Sequence, residues 1–294
     1  MANALDRVGL SALMRLSAGR PEVVIGLIDG PVAFSHADLS GSAIRELPGK
    51  ARGACGKADS LACLHGTFMA GVLVAKRDSP APAICPSCTL LAYPIFADAL
   101  DNKEMPSAAP EDLAGAILAC IDAGAKILNL SLALVQSAGK GERALQEALD
   151  HTARRRVIVV AAAGNQGSVG GTIITRHPWV VPVAACDAQG RPTRESNLGH
   201  SMGLRGLRAP GEGITSLGAD GKPITLGGTS VAAPFVTGAV ALLWSEFPAA
   251  TAAEIKAAVT RAIVGRRTTV TPPLLDAWAA YQLMNSQATR RSAP

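Results

Sequence analysis

Aromatic residues are scarce in this chain: five Phe, three Trp and two Tyr among 294 residues. Its core cannot rest on stacked rings and must be built from Ala, Val, Leu and Ile, which suits a parallel sheet covered on both faces. Long apolar runs are missing as well. Although 48% of residues are apolar, no window of 18 consecutive apolar residues occurs, which excludes a membrane-spanning helix. The first twenty residues lack a signal-peptide core, since Asp6 and Arg7 interrupt any apolar stretch. The expectation is a cytoplasmic protein with no membrane partner and no folded propeptide ahead of a first strand near Val23. Charge of one sign is also wanting. The 28 basic and 23 acidic residues leave a net +5, too small and too dispersed to indicate a nucleic-acid partner. The densest basic run, Arg154-Arg155-Arg156, reads as the solvated end of a helix. No feature bears on oligomeric state.

What is present is an alternation of apolar strands and helices. Val23 to Ile28 is a continuous apolar run stopped by Asp29-Gly30-Pro31, the pattern of a buried strand ending in turn chemistry. Residues 35 to 64 are rich in loop formers, and His65 to Val74 reads as a short helix that His65 opens. Thr89 to Phe96, Lys126 to Leu132, Val157 to Ala163, Trp179 to Ala185 and Leu204 to Ala209 continue as strands. Helices are expected over Pro110 to Ala123, Gly141 to Arg155, Thr229 to Glu246, Ala252 to Ile263 and Leu274 to Met284. Strands alternating with helices at this spacing imply a doubly wound parallel sheet, whose sites form at the carboxyl ends of strands. No internal repeat or interior linker breaks the chain. The organisation expected is an N-terminal extension over 1–22, one domain over 23–285, and a flexible polar tail over 286–294.

Six cysteines stand against the cytoplasmic expectation. Cys55 and Cys63 flank a polar loop just before His65, and Cys85 and Cys88 bracket a Cys-Pro-Ser-Cys turn. Three readings stand for these four: two local disulfides, a four-thiolate zinc site, or free thiols. The Cys55 to Cys63 spacing is wide for a zinc knuckle, and no histidine lies beside the second pair. Cys120 and Cys186 sit in apolar surroundings as core thiols.

Four short segments carry chemistry: Gly26-Leu27-Ile28-Asp29-Gly30, His65-Gly66-Thr67, Ala162-Ala163-Gly164-Asn165 and Gly228-Thr229-Ser230-Val231-Ala232-Ala233-Pro234. A serine hydroxyl is a poor nucleophile at neutral pH and needs a base within hydrogen-bond reach. Ser230 begins a buried helix, where unpaired amides and a partial positive charge favour a developing oxyanion. Taken alone it would be an ordinary N-cap serine. His65 is the candidate base, the other four histidines lying in loops or on a polar helix end. Asp29 closes a buried strand, and a buried carboxylate is costly without a partner, which an imidazole would supply. Asn165 follows a strand end, where its amide can point at an oxyanion; the competing reading is a turn asparagine.

These motifs resemble those of the subtilases, over about Val23 to Glu246, and the order Asp, His, Ser along the chain is the one subtilisin uses. The resemblance implies a single-domain, three-layer α/β/α fold with a mostly parallel central sheet. It implies catalysis by Asp29, His65 and Ser230 with Asn165 in the oxyanion hole. It further implies a peptide or protein substrate held in extended form along Ser131, Leu132 and Ala133 and against Ala163 and Gly164. Arg176-His177-Pro178 resembles a segment that holds a cis-proline in many relatives, and Ala209-Pro210-Gly211 also matches. No organic cofactor or catalytic metal is implied. Calcium stabilises many subtilases, but these loops assemble no convincing oxygen-ligand cluster.

Departures narrow the likeness. Gly30-Pro31 replaces the usual hydroxyl residue and glycine after the aspartate, Phe68 replaces a second histidine, and Ala133 replaces a glycine. Ile28 to Val32, the Cys55/Cys63 loop and Cys85 to Leu91 are similar to the cyanobactin maturation proteases, which process ribosomal precursor peptides by leader cleavage or by macrocyclisation. Cyclising members carry a helical cap between acid and base. The 36 positions between Asp29 and His65 have loop composition with no amphipathic helix, so hydrolysis is expected over cyclisation. A general degradative protease and a peptide-binding module lacking catalysis are the remaining alternatives.

Overall fold

The apolar runs line up side by side in the computed structural model, which describes residues 1–49, 55, 60–96, 108–132, 140–264 and 267–292. The N-terminal segment forms two short helices, α1 (Ala2–Arg7) and α2 (Leu10–Leu16), followed by β1 (Val24–Asp29). A short strand β2 (Ile44–Glu46) precedes α3 (Leu61–Val74), β3 (Thr89–Pro94), α4 (Pro110–Asp122) and β4 (Ile127–Leu130). Then come α5 (Lys140–Arg154), β5 (Ile158–Ala162), α6 (Ile173–Arg176), β6 (Val180–Cys186), α7 (His200–Arg205) and β7 (Leu207–Pro210). A hairpin of β8 (Ile214–Leu217) and β9 (Pro223–Leu226) leads into α8 (Thr229–Glu246) and α9 (Ala252–Arg261). The described chain ends with β10 (Ile263–Val264), β11 (Leu274–Leu275) and α10 (Ala277–Ser292).

Nine strands form one sheet in the order β10-β11-β7-β6-β5-β4-β1-β3-β2, parallel except where β10 runs against β11. Side chains alternate between two cores. Ile25 and Leu27 of β1, Ile158 and Val160 of β5, and Val181 and Val183 of β6 face α3 and α8. Ile28, Val159, Leu128 and Leu130 face α4 and α5 on the other side. The period-two alternation of strands therefore serves two apolar faces at once, which is why the strands read as unbroken apolar runs. This is the mostly parallel, helix-covered α/β sheet expected. The order reverses at β1, whose neighbours are β3 and β4. Sheets of this kind bind ligands beyond the carboxyl ends of the strands at such a switch point.

Several local expectations are corrected. Helix α3 begins four residues before His65, because Ser60 caps it by accepting the Cys63 N–H at 3.1 Å. His65 thus lies in the second turn and does not open the helix. The strand expected over Leu204 to Ala209 splits into the end of α7 and β7, and Leu274-Leu275 pairs as a strand before α10 begins. No cis peptide bond occurs among the described residues, so Pro178 is trans. The polar C-terminal stretch continues α10 as far as Ser292. No helix among the described residues is long and apolar enough to cross a membrane.

Candidate active site

Asp29 is the last residue of β1, and the register Ile28 to Leu130 sets it beside Ser131, just past the end of β4. The strand places its carboxylate beneath α3, fully buried. Oδ1 accepts the Gly30 N–H at 2.6 Å and meets His65 Nδ1 at 2.7 Å. The acceptor at Nδ1 sets the imidazole tautomer, leaving Nε2 as the basic nitrogen. Oδ2 has no partner among the described residues. The departure at position 30 has a steric cause: a Cβ on Gly30 would collide with the Ala62 carbonyl oxygen. The turn after the acid and the first turn of α3 are in backbone contact there, so no hydroxyl side chain fits. Phe68, in place of a second histidine, is a fully buried core residue.

Ser230 is partly exposed in the first turn of α8. The approach to it runs through Gly228, whose φ of 118° is a left-handed conformation that favours glycine. No hydrogen bond joins Ser230 to His65 among the described residues; such contacts are often long without substrate.

Asn165 follows β5, and its orientation is fixed. The Thr229 N–H and hydroxyl both donate to Asn165 Oδ1, at 2.8 and 3.0 Å. The oxygen is therefore the end facing Thr229, and the NH2 is free to donate elsewhere. A cluster the sequence reading missed supports this amide. The Thr229 hydroxyl accepts the Gly164 N–H at 3.1 Å, and Asn197 Oδ1 accepts from Gln166 N, Ser168 N and Ser168 Oγ. Asn197 Nδ2 also donates to the Ala163 carbonyl at 3.2 Å.

Of the expected substrate-contact residues, Ser131 and Leu132 stand just past β4, and Ala133 lies outside the described residues. The Ala163 N–H is spent on the Val183 carbonyl and the Gly164 N–H on Thr229. These two residues can wall a site but have no free N–H to offer a substrate.

The first cysteine pair is a disulfide, Cys55–Cys63, tied into the first turn of α3 two residues before His65. The second pair corrects the two-disulfide reading, because Cys85 and Cys88 are buried thiols. They occupy one turn, with Cys88 N bonded to the Cys85 carbonyl at 3.0 Å. The two thiols share a hydrogen bond, which raises Cys85 well above the ordinary thiol range and lowers Cys88. Burial pushes Cys120 and Cys186 up to about 12, in keeping with core thiols. With Cys55 and Cys63 joined, the four-thiolate zinc reading loses two of its ligands. Among the described residues no group of three or more His, Cys, Asp and Glu could hold a metal ion.

A buried carboxylate at the end of β1 orients an imidazole on α3, a serine stands at the N-terminus of α8, and a pinned amide donor follows β5, two strands from β1. The set can activate a hydroxyl and stabilise an oxyanion. The chain belongs to the subtilase family, which it matches over residues 20–282.

Individual relatives agree. Fervidolysin of Fervidobacterium pennivorans is 30% identical over 275 residues, covering 83% of this chain but only 38% of its own length, so this chain spans well under two thirds of that relative. Among solved structures, a mutant protease domain of PatA superposes with a TM-score of 0.83 at 29% identity, covering 92% of this chain and 97% of that one. The prenylagaramide maturation protease PagA gives 0.80 at 28% identity, covering 93% and 98%.

Proposed function

We propose that the chain is a serine endopeptidase that cuts an extended precursor peptide and releases the product by hydrolysis. The observation that carries it is the Asp29–His65 hydrogen bond, 2.7 Å long and buried at the carboxyl end of β1. Ser230 Oγ attacks the scissile carbonyl while its proton passes to His65 Nε2. Asp29 holds the ring and offsets its charge. Asn165 Nδ2 and the Ser230 N–H receive the oxyanion at the N-terminus of α8. His65 then returns the proton to the leaving amine, and water repeats the sequence on the acyl-enzyme. Serine, imidazole and carboxylate supply every group the steps need, so no cofactor is proposed.

The precursor-peptide substrate is supported by PagA and by the patellamide maturation protease PatA, both near 28% identity. Water as the terminating nucleophile is supported by the path from acid to base. Among its described residues a single 3-10 turn, Ala37–Leu39, and β2 precede α3, and none forms a helical cap. The Cys55–Cys63 disulfide weighs against a cytoplasmic site of action, because such bonds persist in oxidising compartments.

The test uses purified protein and a peptide library read by mass spectrometry. Wild type should yield linear fragments and bind a fluorophosphonate covalently at Ser230. Ser230→Ala should lose both while keeping the wild-type circular-dichroism spectrum. Turnover by folded Ser230→Ala near the wild-type rate would overturn the assignment. A product lighter than the linear peptide by one water would replace hydrolysis with cyclisation.

A further inference from the structure

Helix α8 carries a proline four residues after its reacting serine, and this has a backbone consequence. In an α-helix the Ser230 carbonyl would accept from the N–H of residue 234, but Pro234 has none. A carbonyl even partly shielded from water is costly to leave without a donor, and this one is part-buried. The donor comes from the end of β4: the Ser131 hydroxyl donates to the Ser230 carbonyl at 3.0 Å.

Two more buried groups extend the line. Asn129 Nδ2 lies 2.7 Å from Ser131 Oγ, and Thr237 Oγ1 lies 2.8 Å from Asn129 Oδ1. Asn129, Ser131 and Thr237 are each 1% exposed or less. Their direction is forced from the end inward. A carbonyl can only accept, so Ser131 gives it its one proton and must accept in turn. The Asn129 amide nitrogen therefore faces Ser131, its oxygen faces Thr237, and Thr237 must donate. Asn129 on β4 and Ser131 just past its end are two residues apart and so lie on one side of the sheet. Thr237 sits two helical turns beyond Ser230, on the same face of α8. The relay leaves α8, crosses to β4 and returns to α8 at the reacting serine.

We infer that Thr237, Asn129 and Ser131 are positioning residues for Ser230. Together they replace the helical hydrogen bond that Pro234 removes and fix the first turn of α8 over the end of β4. The inference rests on Ser230 being the nucleophile. The turn they fix carries both the Ser230 hydroxyl and the Ser230 N–H aimed at the oxyanion, so the loss should fall on the chemical step and spare substrate binding.

The test compares wild type with Thr237→Val, which keeps the shape and removes the donor, and Thr237→Ser, which keeps the donor. Ser131→Ala cuts the other end of the line. For folded enzyme, Thr237→Val and Ser131→Ala should each lower kcat about tenfold, the scale of one neutral hydrogen bond. KM should stay within about twofold, and fluorophosphonate labelling should slow in parallel. Thr237→Ser should recover wild-type kcat. The double variant should lose little more than the worse single one, since the groups act as one line. Folded Thr237→Val or Ser131→Ala with kcat within about twofold of wild type, a loss confined to KM, or no rescue by Thr237→Ser would overturn the inference. If Thr237→Val does not fold, the Ser131→Ala result decides. Wild type that neither labels nor turns over would instead overturn Ser230 as nucleophile, so the two failures are distinct.

Discussion

The Thr229 hydroxyl accepts the Gly164 N–H at 3.1 Å while donating to Asn165 Oδ1 at 3.0 Å, and its own N–H bonds the same oxygen. One fully buried side chain thus sets the angle between the strand end that carries Asn165 and the helix that carries Ser230. Thr229→Val keeps the volume but strands the Gly164 N–H, a loss of about 1–3 kcal/mol, and frees the Asn165 amide to rotate. Unfolding in urea should show that loss, and kcat should fall about tenfold, the value of a single hydrogen bond in the transition state. An unchanged kcat would mean the Thr229 backbone N–H alone holds the amide. Asp29, His65, Asn165 and Ser230 were legible in sequence because each needs a local context, a strand end or a helix start, that neighbouring residues spell out. Thr229, Asn197 and Thr237 were not. Their partners lie 64 and 65, 29 to 34, and 108 residues away, and only the fold brings them close.

Helix boundaries follow from capping, and the sheet-facing side of a helix from burial. Helix α9 opens with a capping box, Thr251 and Glu254 bonding each other's N–H groups at 2.8 and 3.3 Å. It turns Lys256 onto the Trp179 ring face at 4.4 Å and the Pro178 carbonyl at 3.0 Å. Those contacts favour the ammonium, but burial, with Arg205 nearby, pushes Lys256 down to about 8 from 10.5. Between those two values the folded chain holds fewer protons than the unfolded one. This lysine therefore makes stability rise with pH from about 8 to about 10.5. Lys256→Met should flatten that rise in chemical unfolding followed across the window, relative to wild type. Equal slopes would mean that the Trp179 contact cancels the cost of burial. At this scale β1 and β3 to β6 were readable as apolar runs, while β2, β10 and β11, two or three residues each, were not. The start of α3 was misread because Ser60, a good cap, is followed by residues whose apolar pattern continues without a break. The β8–β9 hairpin was missed, since each strand has only four residues and none in β9 is buried.

The three layers are not closed by strands and their crossover helices alone. Leu5 of α1, Val8 between the two helices, and Leu10 and Leu13 of α2 are buried in the core that α8 also lines. The Arg77 guanidinium donates to the carbonyls of Met14, Ser17 and Ile84, holding the end of α2 against the segment after α3. Sequence patterning could not reveal this. Six- and seven-residue helices separated by Gly9 are too short for a periodic signal, and such helices gain stability from tertiary packing and little from intrinsic propensity. The proposed division at residue 22 marks where the sheet begins, and it does not mark where the core begins. Leu13 is fully buried, so Leu13→Ala should cost about 2–5 kcal/mol from lost burial and the cavity left behind. Urea unfolding measures the loss, and kcat per folded molecule should stay at the wild-type value, because Leu13 lies on a segment that contributes no group to the site. A loss below about 0.5 kcal/mol, the scale of an ordinary surface substitution, would show that the segment rides on the domain without supporting it. A large loss would make the first twenty residues part of the same cooperative unit as the sheet that positions Asp29 and Asn165.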